Sequence, residues 1–186
     1  MKRVVFLVLV ALLAGLQTGL SSGAIAQSVK PKPLYELQSQ FSEADFTWSQ
    51  AKGSGVIAGQ GYLRAEGGFI RYAGGEAVTL VPRTAYTDEI VSTTRQPGFF
   101  DQFSNIIKDP NYNQYRRVVT ADAEGRFRFE GLPAGEWYVV TRSIWFVRDK
   151  QNKTTYRGGL MWGQINIGEG EKRENVKLTS LTELAR

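Results

Sequence analysis

The residues best suited to chemistry in this sequence are tyrosines and arginines near the two ends of one long segment. They are Tyr86, Tyr112, Tyr115, Arg116 and Arg117. A tyrosine buries a large ring while keeping a polar hydroxyl, and a neighbouring arginine adds a planar cation, so these residue types dominate binding hot spots. Trp145 and Trp162 lie on predicted strands that could end near this group, and such rings also suit sugar stacking. The alternative is that the rings fill a core and only the hydroxyls reach its rim.

Most kinds of catalysis lack their residues in this chain. It has no histidine and no cysteine, which removes the imidazole base, the common nucleophile pairs, and the histidine and thiolate ligands of metal ions. It also has no G-x-x-x-x-G-K-[ST] loop to hold phosphate. The remaining carboxylates, such as Asp122 and Glu124, mostly lie in predicted turns or at helix starts, where solvated acids are expected. We therefore expect a protein that is not an enzyme and has no metal or cofactor.

Residues 1–26 have the pattern of an export signal. Met1–Arg3 is a short cationic start, an uncharged apolar run of 13 residues follows from Val4 to Leu16, and Ala24-Ile25-Ala26 precedes the next residue, a glutamine. The run is shorter than the roughly 20 residues of a membrane span. We therefore expect cleavage after Ala26 and a periplasmic or secreted protein with no stable membrane insertion. The remaining chain has 21 basic and 18 acidic residues, and this weak, scattered excess argues against nucleic-acid binding.

The rest of the chain divides into an N-terminal linker or extension, residues 27–50, and one domain, residues 51–186. In the domain, short stretches rich in aromatic and β-branched residues are separated by glycine turns, the pattern of a β protein. Arg126–Glu130 is the clearest strand, because Phe127 and Phe129 alternate with charged residues and should face a core. We therefore predict an all-β fold, a β-sandwich of about seven strands.

A helical insertion over about residues 84–115 is predicted between the second and third core strands. More than thirty residues separate Pro82 from Arg116, far more than in a typical loop. Within this segment, five apolar residues recur at the spacing of one helix face: Phe99, Phe100, Phe103, Ile106 and Ile107. We expect this helix to cap an open end of the sandwich. The alternative is a helix that binds a membrane or a partner, and the absence of lysine and arginine from its polar face disfavours anionic lipid.

The run from Thr120 to Val140 follows the pattern T-D-x-x-G-x-F-x-F-x-x-L-P-x-G-x-Y, except that Ala121 separates Thr120 from Asp122 and Trp137 stands in place of the final tyrosine. This run resembles the carboxypeptidase regulatory-like domain, a Greek-key β-sandwich of the prealbumin (transthyretin) type. The resemblance implies that Gly125 and Gly135 adopt backbone angles that a Cβ would forbid, and that Leu132 closes a corner of the core. Members of this family usually serve as accessory, binding or spacer modules of exported proteins, so the motif implies architecture and no catalysis.

Taken together, these patterns predict a non-catalytic, exported binding or assembly module of the bacterial cell envelope. Its partner would be a protein or glycan of the envelope, bound through the loops that the sandwich presents. Two alternatives remain open at this point. One is a carbohydrate-binding or carbohydrate-active protein that uses surface aromatics and carboxylates, and the other is a purely structural envelope protein.

Overall fold

The computed structural model describes residues 34–94 and 106–179, which belong to one compact unit. The strands in these ranges are β1 Tyr35–Glu36, β2 Gly55–Arg64, β3 Ile70–Tyr72, β4 Ala77–Pro82, β5 Ile106–Ile107, β6 Arg117–Thr120, β7 Arg126–Leu132, β8 Gly135–Arg148, β9 Thr154–Ile167 and β10 Lys172–Leu178. The helices are α1 Glu43–Phe46 and α2 Ala85–Thr94, with 3-10 helices at Thr47–Gln50, Glu66–Gly68 and Pro110–Tyr115.

Two four-stranded sheets account for most of these strands. In the first sheet, β2 pairs with β10 in parallel, with β7 antiparallel along its first half, and with β3 antiparallel along its second half. The second sheet is antiparallel throughout, in the order β6–β4–β8–β9. β1 and β5 form a separate two-residue parallel ladder. The described chain is therefore mostly β, as the sequence predicted, although it has more strands than the expected seven.

The first core lies between the two sheets. Phe127 and Phe129 are buried there, as their alternation predicted, together with Trp137 of the facing sheet. Gly125 and Gly135 have φ of 76° and 150°, so both hold the positive φ that the motif implied. A Cβ on Gly125 would also overlap the carbonyl oxygen of Gly61, so this turn requires glycine twice over.

The second core lies on the other face of the β6–β4–β8–β9 sheet. There α1, α2 and the 3-10 helix Pro110–Tyr115 cover side chains that project outward from β4, β8 and β9. Phe46, which the sequence assigned to the N-terminal linker or extension, is fully buried in this layer. Residues 34–50 therefore pack as part of the folded unit, because their aromatic side chains cover an apolar sheet face.

The segment between β4 and β6 differs from the predicted insertion in its details. Its described helices are α2 and the 3-10 helix Pro110–Tyr115. Of the five residues of the expected amphipathic helix, Phe99, Phe100 and Phe103 lie outside the described residues. The expected helix is wrong at Ile106 and Ile107, because these residues are extended and pair with β1. Among the described helices, none is long and apolar enough to cross a membrane.

Candidate binding site

A cavity of about 220 Å³ lies between the second sheet and the segment that follows β5. The described residues that line it come from three strands and one 3-10 helix with its flanks. They are Thr79, Val81, Ile106, Lys108, Tyr112, Asn113, Arg116, Val140 and Trp162. Two of the five residues singled out in the sequence, Tyr112 and Arg116, are therefore brought together here.

The floor of the cavity is a row of side chains across three neighbouring strands. Thr79 of β4 pairs directly with Val140 of β8, and Val140 pairs directly with Trp162 of β9. Directly paired residues project from the same face of a sheet, so the register alone places these three side chains side by side. All three are buried, and Trp162 is the largest side chain of the row.

The wall opposite the sheet is built by the 3-10 helix Pro110–Tyr115. Asp109 caps this helix, since its Oδ1 accepts a hydrogen bond from the backbone N–H of Asn111 at 2.8 Å. Tyr112, Asn113 and Arg116 lie within little more than one turn and reach the same cavity. The Nη1 of Arg116 donates to the Oδ1 of Asn113 at 3.1 Å, which orients the guanidinium at the mouth. Asn113 and Arg116 are exposed, so the cavity opens on their side.

The cavity carries positive charge. Lys108 and Arg116 line it, and none of its described lining residues is acidic. Burial, with the nearby charge of Arg116, lowers the pKa of Lys108 to about 8. Lys108 is therefore still mostly protonated at neutral pH, and its Nζ donates to the carbonyl oxygen of Ile106 at 3.3 Å. Burial also raises the pKa of Tyr112, so its hydroxyl remains neutral. The site thus offers cationic and neutral donors beside two aromatic rings.

Tyr86 and Tyr115 support this wall from behind. The hydroxyl of Tyr86 accepts a hydrogen bond from the backbone N–H of Asp109 at 2.7 Å, and its ring lies 5.5 Å from that of Tyr112. The hydroxyl of Tyr115 donates to Glu43 at 2.9 Å. All three tyrosines are only 4% exposed. The core-filling alternative therefore describes Tyr86 and Tyr115, whereas Tyr112 fills the core and also lines the cavity.

Arg117 lies apart from the cavity. Its guanidinium sits over the indole of Trp137, 5.6 Å from the ring centre, and its Nη2 donates to the carbonyl oxygen of Ser49 at 2.8 Å. Burial lowers the pKa of this guanidinium. These contacts join β6 to β8 and to the segment after α1, so the side chain serves the fold.

Sequence reasoning missed Thr79, Lys108 and Asn113. The strand β4 is buried along nearly its whole length, so no alternation marked the outward face of Thr79. Lys108 and Asn113 belong to no recognisable motif within the long segment between β4 and β6. The only available signal was the Asp109-Pro110 pair, which predicts the start of a helical turn and hence which residues share a face.

A larger open groove of about 640 Å³ crosses β2, β7 and β10. Its arginines are already paired with carboxylates. Arg126 contacts Asp122 and Glu124, and Arg128 contacts Glu130 and Glu174. Because these ion pairs engage both arginines of the groove and no exposed aromatic ring lines it, the smaller cavity is the stronger candidate site.

No family model matches the chain, and no curated protein matches it significantly. The resemblance to carboxypeptidase regulatory-like domains therefore stays a prediction. Among solved structures, the chain is similar to a "putative carbohydrate binding protein" from Pseudomonas aeruginosa, with 28% identity and a TM-score of 0.66 over 76% of this chain and 99% of that one. A 9R-lipoxygenase from Cyanothece also matches, at 13% identity and a TM-score of 0.25 over 67% of this chain and 16% of that one, and this likeness carries no argument. The chain thus shares its β-rich fold with the Pseudomonas aeruginosa protein.

Proposed function

We propose that this protein is a non-catalytic carbohydrate-binding module of the bacterial cell envelope, exported by its N-terminal signal. The observation that carries the proposal is the composition of the cavity over Trp162. Aromatic rings that cover the apolar face of a sugar, beside fixed hydrogen-bond donors, are the usual elements of a small polar ligand site. The description of the similar Pseudomonas aeruginosa protein as carbohydrate binding supports the same class of ligand.

The size of the cavity limits the ligand. Pockets for drug-sized ligands enclose roughly 300–1,000 Å³, whereas this cavity encloses about 220 Å³. We therefore expect one sugar ring, or the end of a longer chain, to bind at the mouth of the cavity beside Asn113 and Arg116, where it meets the edges of the largely covered Trp162 and Tyr112 rings. Further sugar units would extend past Asn113 and Arg116 into solvent.

The charge of the cavity selects among sugars. Lys108 and Arg116 face it together, and a guanidinium pairs with a carboxylate through two parallel hydrogen bonds. A sugar that carries an acidic group, such as a uronic acid, can pair with the exposed guanidinium of Arg116, whereas a neutral sugar offers it only hydroxyl groups. The ligand class we propose is therefore an acidic saccharide.

The resemblance to carboxypeptidase regulatory-like domains fits this proposal. We propose that the order in which the strands are connected is that of a Greek-key sandwich of the prealbumin type, as in those domains. Such domains serve exported proteins as binding or spacer modules. In this chain the added helical layer over β4, β8 and β9 would turn a structural module into a binding one.

Titration calorimetry with glucuronate and galacturonate, against glucose and galactose, tests the proposal. We expect the two uronates to bind and the two neutral sugars to bind at least about tenfold more weakly, because a hydrogen bond to a charged group contributes about 1.5–3 kcal/mol. Arg116→Ala should reduce the difference. Lys172→Ala, which removes an exposed cation on β10, should leave it unchanged. Absence of binding to all four sugars and to a glycan array would refute the function.

A further inference from the structure

The exposed apolar side chains of this protein are concentrated at one end. Ten large apolar side chains are exposed among the described residues, and seven of them lie in two hairpins, β2–β3 and β8–β9. These are Phe69, Ile70, Tyr72, Ile144, Phe146, Val147 and Tyr156. Isolated exposed apolar residues are normal on any surface, whereas a cluster indicates a contact surface.

Four of the seven lie on a projecting hairpin. β4 pairs with β8 only as far as Val140, but β8 and β9 remain paired to Arg148 and Thr154. Every residue from 146 to 157 is exposed, so the end of this hairpin stands clear of the sheet. We call residues 143–158 the arm.

The two faces of the arm differ. Phe146 lies directly opposite Tyr156 on one face, and these side chains are 65% and 74% exposed. On the other face, Trp145 is covered by the guanidinium of Arg71, 5.7 Å from the ring centre. The hydroxyl of Ser143 also donates to the carbonyl oxygen of Tyr72 at 3.3 Å. These contacts bring the β2–β3 hairpin, with Phe69 and Ile70 exposed, alongside the arm.

Basic residues outnumber acidic ones in both hairpins. The arm and the β2–β3 hairpin together carry six basic residues and two acidic ones: Arg64, Arg71, Arg148, Lys150, Lys153 and Arg157, against Glu66 and Asp149. The carboxylate of Asp149 also accepts hydrogen bonds from the backbone N–H groups of Gln151 and Lys153 within the turn of the arm. The apolar end is therefore strongly basic, although residues 27–186 as a whole are only weakly so.

We propose that this end binds the surface of an anionic lipid bilayer. Exposed aromatic and aliphatic side chains enter the boundary between headgroups and acyl chains, and Tyr and Trp favour that boundary because they have an apolar body and a polar tip. Each lysine or arginine near an anionic surface adds about 1 kcal/mol. Because basic residues are in excess here, we expect the bound membrane to contain anionic lipid. A protein partner would need a contact of roughly 800 Å² on each side, which is more than the end of a two-stranded hairpin readily offers.

This interaction is separate from the saccharide site. The cavity lies beneath the 3-10 helix Pro110–Tyr115, whereas the arm lies beyond the last pairing of β4. Vesicles of pure phospholipid contain no sugar chain, so vesicle binding and saccharide binding succeed or fail independently.

Cosedimentation with phosphatidylcholine vesicles, with and without phosphatidylglycerol, tests the proposal. We expect binding only when phosphatidylglycerol is present, and weaker binding as salt is added. The double variant Phe146→Ser/Tyr156→Ser should lower the vesicle partition coefficient about tenfold or more, because each buried large side chain contributes about 1.5–3 kcal/mol. Lys150→Glu/Lys153→Glu should lower it by a similar factor.

Matched variants outside the arm test whether vesicle binding depends on the arm or on any exposed apolar or basic residue. Leu34→Ser/Val118→Ser removes two exposed apolar side chains far along the chain from the arm, and Lys52→Glu/Lys172→Glu reverses two other exposed lysines. Both should bind vesicles like the unchanged protein. All proteins carry the same N-terminus, so any contribution from it cancels.

Several results would overturn the proposal: equal binding to both kinds of vesicle, arm variants that bind like the unchanged protein, or sedimentation of the protein without vesicles. So would binding of the arm to an acidic polysaccharide in place of lipid. Tryptophan fluorescence gives a second readout. Brominated phosphatidylglycerol should quench the part of the emission that a Trp145→Phe variant lacks, in the unchanged protein and not in the lysine variant.

Discussion

The guanidinium of Arg117 lies 5.6 Å from the centre of the Trp137 indole, in contact with the core between the two sheets. Its neighbour Arg116 lines the cavity on the other face of the same sheet. Residue 116 is extended, and successive residues of an extended chain point in opposite directions. Two adjacent arginines therefore have different tasks, one in the fold and one at the site.

The first prediction concerns this pair. Arg117→Ala should lower the free energy of unfolding by about 1–2 kcal/mol, because it removes a cation–π contact and two hydrogen bonds to backbone carbonyls. Arg116→Ala should change stability by less than about 0.5 kcal/mol, as is usual for an exposed side chain, but should weaken uronate binding. Urea denaturation and calorimetry on both variants give the four values. An Arg117→Ala protein of unchanged stability would contradict the structural role.

The second prediction concerns the joint between the helical layer and the sheet. The hydroxyl of Tyr138 on β8 donates to Asp88 of α2 at 2.6 Å, and Arg83 holds the same carboxylate. Burial, with this hydrogen bond, raises the pKa of Tyr138 to about 12. Tyr138→Phe should therefore lower the free energy of unfolding by about 1–3 kcal/mol, because the bond is to a charged acceptor. Tyr156→Phe, at an exposed tyrosine of the arm, serves as the control and should be neutral in the same denaturation experiment.

The sequence predicted the β-rich class and the first core well, and for a physical reason. Phe127 and Phe129 alternate with charged residues because one face of β7 is solvated, so their inward direction was visible in the pattern. The second core could not be predicted from the sequence. The part of β4 and β8 beneath it is buried on both faces, so these strands do not alternate between apolar and polar residues. No local pattern could show that Phe46, Tyr86 and Tyr115 meet there.

The third prediction concerns Gly125, whose φ is 76° and whose Cβ, if present, would meet the backbone of Gly61. Gly75 has φ of 75° and open space around it. Both alanine variants carry the cost of a positive φ, about 1–3 kcal/mol, but only Gly125→Ala adds a backbone clash. Thermal unfolding should show a larger loss for Gly125→Ala than for Gly75→Ala. Equal losses would mean that the turn relaxes without cost.

The fourth prediction is the pH dependence of saccharide binding. Burial lowers the pKa of Lys108 to about 8, so its charge is present below that pH and is lost as the pH rises through it. Uronate affinity should therefore fall between about pH 7 and pH 9, whereas Arg116 stays charged throughout. Lys108→Gln should bind more weakly at pH 7 and show a flat profile. An affinity that rises with pH would have the wrong sign for this account.

Only some of the residues that line the cavity could be predicted from the sequence. Tyr112 and Arg116 were found because aromatic rings beside arginine indicate a binding surface, and both line the cavity. Trp162 was also expected near this group, and strand register across β4, β8 and β9 brings it there together with Thr79, which no sequence pattern marked. Such pairing cannot be deduced from residue types alone. The same residue types also pointed to Arg117, which lies on the other face of the sheet from the cavity.

The most direct test of the saccharide site is the indole N–H region of a nitrogen-15 NMR spectrum. The chain has four tryptophans, and they occupy different places: Trp162 at the cavity, Trp48 and Trp137 at the first core, and Trp145 on the arm. Titration with a uronate should shift the Trp162 signal, assigned with a Trp162→Phe variant, to saturation while the other three stay in place. A uronate that moves the Trp48, Trp137 or Trp145 signal instead, or moves none at all, would contradict the proposed site.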